Sequence, residues 1–405
     1  MPHADYHPDE FQRSPLMFYY EVTLACDLVC KHCRASAQEC AAPDELSHEQ
    51  SKALIDQVAE FPRRPTMVFT GGDPLKRSDL FELIAHAKSR GLGVALTPSA
   101  TPLATRGAFE RARQAGVRNL GVSLDGVDAA THDAFRGFEG SFQRTMRMLA
   151  DARDLGMAVQ VNTTVTQRNV DQIDQIAELL AGQGIAMWAL FFLIPVGRGM
   201  EEQRIEAGRY EEVFARLWHH ARHQPYAVKT TEAPHYRRFV LEQGGDPLAG
   251  PASHGHGAGH EAAPGGERDA SGHGGAGREG AANGGGSPHP KPAVHGGHRG
   301  HRAPLGVGDG KGIMFVSHAG EIFPAGFLPL GCGRFPEDSV VEVYQRHPTF
   351  LALRDPDRFK GRCGVCEYRY VCGGSRARAY AVTGDPLETE PDCIYIPRPG
   401  VEPIR

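Results

Sequence analysis

The chain has 405 residues with 44 Lys and Arg against 49 Asp and Glu, a formal net charge of −5, and nine cysteines. That length allows two or three domains and a sizeable buried core. The weakly acidic balance and scattered basic residues argue against a nucleic-acid surface, and the odd cysteine count with clustered spacing argues against a secreted disulfide scaffold. The first residues carry neither a basic nor an apolar export region, and the longest apolar run, 185–196, is too short to span a bilayer, so neither export nor a membrane span is expected. A cytoplasmic, reducing compartment follows as the expectation.

Short apolar runs rich in Val, Phe, Leu and Thr fall at 16–24, 66–70, 94–97, 120–124, 158–165 and 187–194. They read as buried parallel strands. Between them lie helix patterns: one from Ser47, which with Gln50 makes a capping box ahead of Leu54, Ile55 and Val58, then 80–89, 104–115, 141–155 and 170–180. Six such βα units with right-handed crossovers predict an α/β fold, a partial (β/α)6 barrel of TIM type, with its chemistry at the loops that follow the strands.

The loop after the first strand carries Cys26, Cys30 and Cys33 in a C-x₃-C-x₂-C pattern. Three thiolates ligate three irons of a [4Fe–4S] cluster and leave the fourth open to a small molecule. Zinc is the alternative for close cysteines, but it needs a second, distant pair of ligands to complete a tetrahedron. The trio, with His32 before the third cysteine, resembles the motif of the radical S-adenosylmethionine (SAM) enzymes. The resemblance implies a cluster on Cys26, Cys30 and Cys33 with SAM bound at the open iron.

Later strand ends extend the resemblance. Gly71-Gly72-Asp73 looks like the Gly-Gly-Glu segment that holds the amino group of SAM, with a shorter acid in third place; by itself it is also an ordinary βα turn. Val122-Ser123-Leu124-Asp125-Gly126 looks like a second family segment. There Ser123 would reach the ribose or methionyl carboxylate, and Arg136 would pair with that carboxylate. Asn162 on the fifth strand would meet ribose hydroxyls. Ile194, Pro195 and Gly197, in the run up to Gly199, would pack adenine.

After a helix pattern at 210–222, an extended stretch from Tyr226 crowds Lys229, Glu232, His235, Tyr236, Arg237 and Arg238 into ten residues. Such a group could bind a carboxylated substrate, or form a solvated edge leading into a cationic helix start. Residues 241–311 form a Gly/His-rich insertion with histidines at 254, 256, 260, 273, 289, 295, 298 and 301. Its composition predicts disorder. Those imidazoles could bind metal or haem iron, or the stretch could be a tolerated expansion without function.

A hairpin is expected around 313–324, and beyond it stand Cys363, Cys366, Cys372 and Cys393, enough to saturate a cluster or a zinc ion. This pattern resembles the SPASM domain, a small α+β auxiliary-cluster module. The match implies one auxiliary [4Fe–4S] cluster on those four cysteines, because the other cluster's expected positions hold Ala325 and Arg376. Cys332 is left as an alternative ligand or substrate contact, and Cys40 is expected to be an ordinary buried thiol. The organisation read from the sequence is a tail at 1–15, a core at 16–240, the insertion at 241–311, an auxiliary domain at 312–397 and a tail at 398–405.

The implied activity is reductive cleavage of SAM to a 5′-deoxyadenosyl radical, fed by a flavodoxin- or ferredoxin-type donor. Glu-Val-Thr before the first cysteine, Cys-Arg-Ala-Ser starting at the third, Pro-Val-Gly-Arg-Gly and Gly-Phe-Leu-Pro-Leu look most like the branch that modifies tetrapyrrole side chains. Oxidative decarboxylation of a propionate is the corresponding expectation; maturation of a precursor peptide is the alternative, and a zinc- or metal-storing protein is the non-enzyme reading.

Overall fold

The protein is described by a computed structural model for residues 8–248 and 306–404, which form one compact unit. Most of the His-rich insertion, including all eight of its named histidines, lies outside the described residues.

One sheet organises the chain. Its strands are β1 (Met17–Glu21), β2 (Thr66–Thr70), β3 (Gly93–Leu96), β4 (Asn119–Ser123), β5 (Ala158–Val165), β6 (Met187–Phe192), β7 (Ala227–Thr231), β8 (Ile313–Val316) and β9 (Ile322–Phe323), in the spatial order 7-6-5-4-3-2-1-8-9. The ladders from β7 to β8 are all parallel, and only β8 with β9 is antiparallel. The six expected strands are present in sequence order. Two additions lengthen the sheet: β7 continues it beyond β6, and β8 pairs with β1 from Met17 opposite Ile313 to Tyr20 opposite Val316. The expected hairpin of β8 and β9 is thus fused to the core sheet.

The helices between strands are α1 (His48–Val58), α2 (Leu80–Ser89), α3 (Arg106–Ala115), α4 (Ala129–Arg136), α5 (Ser141–Asp154), α6 (Ile173–Ala181), α7 (Ala207–His223) and α8 (His235–Glu242); α9 (Val340–Arg346), α10 (Pro348–Arg354), α11 (Gly361–Val365) and α12 (Arg376–Thr383) follow the sheet. At the start of α1 the Ser47 side chain accepts from the Gln50 amide and the Gln50 side chain accepts from the Ser47 amide, the reciprocal box read from the sequence. Helix α4 had no sequence signal comparable to the others; Asp128 caps it by accepting from the Thr131 amide.

Strand alternation sorts the side chains into two layers. Phe18, Tyr20, Met67, Phe69, Leu96, Val122, Val161, Trp188 and Val228 belong to one apolar core with helix residues such as Leu54, Leu83, Phe109, Leu149, Ile176 and Val213. The opposite face carries Tyr19, Thr70, Thr97, Gly121, Ser123, Gln160, Asn162 and Lys229, a largely polar wall away from the helices. Among the described residues no helix is long and apolar enough to cross a membrane.

Candidate active site

The three-cysteine loop is closed at its neck by a bridge between Ala25 and Gln38, with the Cys26 amide donating to the Gln38 carbonyl at 2.7 Å. Arg198, just past the end of β6, clamps the loop from outside. Its Nε donates to the Cys30 carbonyl at 2.9 Å, its Nη1 to the Ala37 carbonyl at 2.8 Å and its amide to the Cys33 carbonyl at 3.0 Å. Each sulfur meets a donor: the Leu28 amide reaches Cys26 Sγ at 3.4 Å, Arg136 Nη1 reaches Cys30 Sγ at 3.8 Å, and the Ala37 amide reaches Cys33 Sγ at 3.4 Å. Burial pushes the Cys26 and Cys30 thiols up, so thiolates here need a bound cation to hold them ionised. His32 stacks on Phe135 with ring centres 4.4 Å apart.

Two glycine positions are explained by how tightly this loop is gripped. A Cβ on Gly72 would lie 2.5 Å from the Ala25 carbonyl oxygen, so the turn after β2 can pack on the cysteine loop only without side chains. Gly197, at φ +54°, would place a Cβ 2.3 Å from the Arg34 oxygen and 2.5 Å from that of Cys33. Asp73 is fully buried and faces inward. Its carboxylate accepts from Thr101 Oγ1 at 2.6 Å and from the amides of Leu75 and Ser99 at 3.2 and 3.3 Å.

Ser123 and Asn162 stand opposite each other in the β4–β5 ladder, and Asn162 lies opposite Ala189, itself opposite Lys229. The Asn162 amide oxygen accepts from Gln160 Nε2 at 2.7 Å. Asp125 forms a buried ion pair with Arg136 and accepts from the Thr164 amide at 2.6 Å. Arg136 is therefore fixed between Asp125 and Cys30, and its Nε has no hydrogen-bond partner. Ile194 points away from the loop into a small apolar cluster with Ala325, Leu328, Leu353 and Ala377. Pro195 lies between that cluster and Gly197 in sequence.

The group from Lys229 to Arg238 is divided by the fold. The expected extended stretch stops at Thr231; Glu232 adopts φ +60°, and Pro234 leads into α8, so the later residues belong to a helix. The proline supplies a helix-compatible φ of −65° there. Lys229 remains on the polar wall. Among the described residues it has no side-chain hydrogen bond or ion pair, and burial alone pushes its ammonium pKa down to about 8. Glu232 is half-buried, accepts from Ser375 Oγ at 2.6 Å, and is pushed up by desolvation and by Asp309. Tyr236 packs against Phe214 and Phe239, Arg237 donates to the carbonyls of Val371 and Val307, and Arg238 pairs with Glu211 and Glu242. His235 goes elsewhere again.

Cys363, Cys366, Cys372 and Cys393, from α11 and the loops around it, line one cavity together with His235, Gly374, Glu390 and Tyr395. The Glu390 amide donates to Cys363 Sγ at 3.3 Å, Arg376 Nη2 to the same sulfur at 3.6 Å, and the Gly374 amide to Cys372 Sγ at 3.4 Å. Cys332 is not part of this lining; it is buried in the main core and its thiol donates to the Leu330 carbonyl at 3.3 Å. Cys40 is exposed, contrary to the expectation of a buried thiol, because it lies on the loop beyond the Gln38 bridge, where no apolar layer covers it. Ala325 sits in the apolar cluster with Ile194, and Arg376 donates to the carbonyls of Pro386 and Glu388.

Residues 20–180 match the model of the radical SAM superfamily. An AdoMet-dependent heme synthase of Nitratidesulfovibrio vulgaris is 36% identical over 381 residues, covering 94% of this chain and 92% of that protein. The chain belongs to the radical SAM superfamily. A second AdoMet-dependent heme synthase, from Methanosarcina barkeri, is 36% identical over 387 residues, covering 96% and 98% of the two chains. In fold it is similar to Streptococcus suis SuiB, at TM-score 0.63 and 13% identity over 95% of this chain and 78% of that one.

As a radical SAM enzyme the protein uses SAM and a [4Fe–4S] cluster. The three sulfurs of the loop after β1, each met by a donor, fit the three-ligand set that such a cluster needs. Among the described residues no three His, Cys, Asp or Glu side chains gather closely enough to hold one metal ion, as a structural zinc with ~2.3 Å bonds to sulfur requires. Two contributions were not read from the sequence. Arg198 was visible only as part of a motif, and the buried Asp125 carboxylate resembled an ordinary Asp-Gly turn; a charged residue next to a glycine that packs on another loop is the signal that marks the first.

Proposed function

We propose that this enzyme removes propionate carboxyl groups from an iron-bound tetrapyrrole. The observation that carries the substrate class is Lys229, an unpaired cation on the polar wall in the same cross-strand row as Ser123 and Asn162, in a chain whose near-full-length relatives are named AdoMet-dependent heme synthases. A carboxylate entering that row would find one partly buried ammonium with no partner among the described residues, where an ion pair is stronger than in bulk water.

Cys26, Cys30 and Cys33 would hold the cluster that, when bound, supplies the electron for cleavage of SAM to methionine and a 5′-deoxyadenosyl radical. The backbone of Gly71 and Gly72 lies beside the cysteine loop and would contact the methionyl amino group. Asp73 would act mainly by shaping that turn, since its carboxylate is occupied by three internal donors. The Arg136 Nε–H remains for the methionyl carboxylate; Ser123 and Asn162 would take the ribose, and the backbone of Ile194, Pro195 and Gly197 the adenine edge.

The substrate loses one hydrogen atom from the propionate carbon next to the ring, giving R–CH•–CH₂–CO₂⁻. That species releases CO₂ and one electron and becomes R–CH=CH₂. The electron needs an acceptor, and Cys363, Cys366, Cys372 and Cys393 would hold a second cluster, whose chemistry is one-electron transfer. The first electron would come from a small flavodoxin- or ferredoxin-type donor. Lys229 would fix one carboxylate so that the neighbouring carbon faces the radical. The same polar wall, sealed behind by the apolar core, would exclude competing hydrogen donors.

The test is anaerobic turnover of reconstituted protein with SAM, a reductant and iron-coproporphyrin III. Release of CO₂ with formation of 5′-deoxyadenosine is expected; deoxyadenosine without CO₂ overturns the substrate.

A further inference from the structure

His235 is 1% exposed, and neither of its ring nitrogens has a hydrogen-bond partner among the described residues. A neutral imidazole carries one N–H in either tautomer, so a buried donor is unpaired whichever form is present. Its ring is walled by Tyr210 and Phe214, with ring centres 5.2 and 4.9 Å away, and it borders the cavity lined by Cys363, Cys366, Cys372 and Cys393. A fully aromatic environment would have accommodated phenylalanine equally well. Of the acceptors lining this cavity, the Glu390 carboxylate is already taken by the Ser375 amide and Arg378, and Tyr395 is paired with Glu367, which leaves the cysteine sulfurs. The sulfurs of Cys363 and Cys372 already receive N–H donors from Glu390, Arg376 and Gly374.

We propose that His235 donates a hydrogen bond to a sulfur of the iron–sulfur centre held by those four cysteines and thereby raises its reduction potential. This rests on the four-cysteine reading given above. Reduction adds one electron and no proton: the 2+ centre becomes 1+, and negative charge grows on its sulfurs. An N–H aimed at those sulfurs stabilises the reduced state more than the oxidised one. His235 is a positioning and tuning residue that keeps its proton throughout. A higher potential suits an acceptor of the electron left by substrate oxidation.

The experiment is an EPR-monitored redox titration of the full chain with Cys26, Cys30 and Cys33 replaced by Ala, so that only the four-cysteine site contributes. His235→Phe keeps the ring packing and removes the donor. It should retain about four irons and disfavour reduction about tenfold, a fall of about 59 mV for one electron, while His235→Gln, which keeps an N–H, should stay near the unsubstituted value. An unmoved midpoint at full iron content overturns the inference and leaves the second centre intact. Loss of iron in His235→Phe overturns it in favour of direct ligation. Should the Phe variant fail to fold, pulsed EPR of the chain with His235 intact still decides. With ¹⁵N supplied only as histidine, so that the Gly374, Glu390 and Arg376 donors stay silent, a weak ¹⁵N coupling is expected; a strong one, or none, overturns the hydrogen bond. A parent chain without about four irons per molecule removes the four-cysteine reading itself, a distinct result that takes this inference with it.

Discussion

Arg198 and Cys30 are 168 residues apart, and the Arg198 Nε donates to the Cys30 carbonyl at 2.9 Å. With its second bond to Ala37 and its amide bond to Cys33, this residue ties the end of the sixth strand to the loop after the first. The cysteine loop is thus tied to the segment after β6 by one side chain and one amide rather than by a strand ladder. Arg198→Ala should cost roughly 2–4 kcal/mol of local loop stability, from two lost charge-assisted bonds and two carbonyls left bare. Iron retained after gel filtration, and amide exchange across residues 26–37, are the measurements. Unchanged iron and unchanged protection would show that the clamp is dispensable.

Close approach makes Gly72 a steric requirement. Gly72→Ala puts a methyl 2.5 Å from one backbone oxygen and 2.6 Å from another, neither on a flexible side chain. A loss of about 1–3 kcal/mol is expected from overpacking, read as a lower denaturant midpoint. Gly182→Ala serves as the control: its Cβ meets nothing within 4 Å and its φ is −87°. That change should be neutral or stabilising by up to about 1 kcal/mol.

Lys229 should trade stability for function. Its pKa falls from 10.5 to about 8 on folding, so the unfolded chain binds the proton more tightly. The cost is fully present below about pH 8 and is relieved as pH rises toward 10.5, where both states are neutral. Lys229→Met removes the cost and should stabilise the protein at pH 7 by roughly 2–3 kcal/mol. Its stability should lose the rise with pH across that window. Binding of a carboxylated substrate should weaken at the same time, and unaltered KM in a stabilised variant would take Lys229 out of the substrate site.

Glu232 has the opposite sign. Burial and the neighbouring Asp309 carboxylate push its carboxyl above the usual range, so the folded state holds its proton more tightly than the unfolded one. This contribution is full below the unfolded pKa and is lost as pH rises through the raised folded value. Glu232→Gln should flatten that decline in stability from pH 5 upward; thermal melts at pH 5, 6 and 7 that remain parallel to the parent's would contradict it.

The cysteines should separate into three groups by iron analysis. The reconstituted chain should carry about eight irons, and either Cys26→Ala or Cys372→Ala should lower that by up to about four. Cys332→Ala and Cys40→Ser should leave iron unchanged, since Cys332 sits in the main core and Cys40 is exposed on a loop. Cys40→Ser should also remove the most reactive thiol towards a soluble disulfide reagent. A fall in iron with Cys332→Ala would bring that residue back as a ligand.

Spacing and periodicity along the chain determined a great deal. The cysteine pattern, six strands, the capping box at Ser47 and the paired glycines were all legible because each depends on residues near in sequence, through ligand bite, strand alternation or local hydrogen bonds. What tertiary structure decided is which side chains share a space. Lys229, Glu232 and His235 lie within seven residues, yet a strand-to-helix change at Pro234 sends them to the polar wall, to Ser375 and to the four-cysteine cavity. Arg136 was read as a carboxylate partner and is anchored by Asp125, while Arg198 gained its role only when β6 came to lie over the first loop. Local sequence sets backbone conformation within a few residues; the direction of a buried charge is set by the partners that tertiary packing brings to it, 11 residues away for Arg136 and 168 for Arg198.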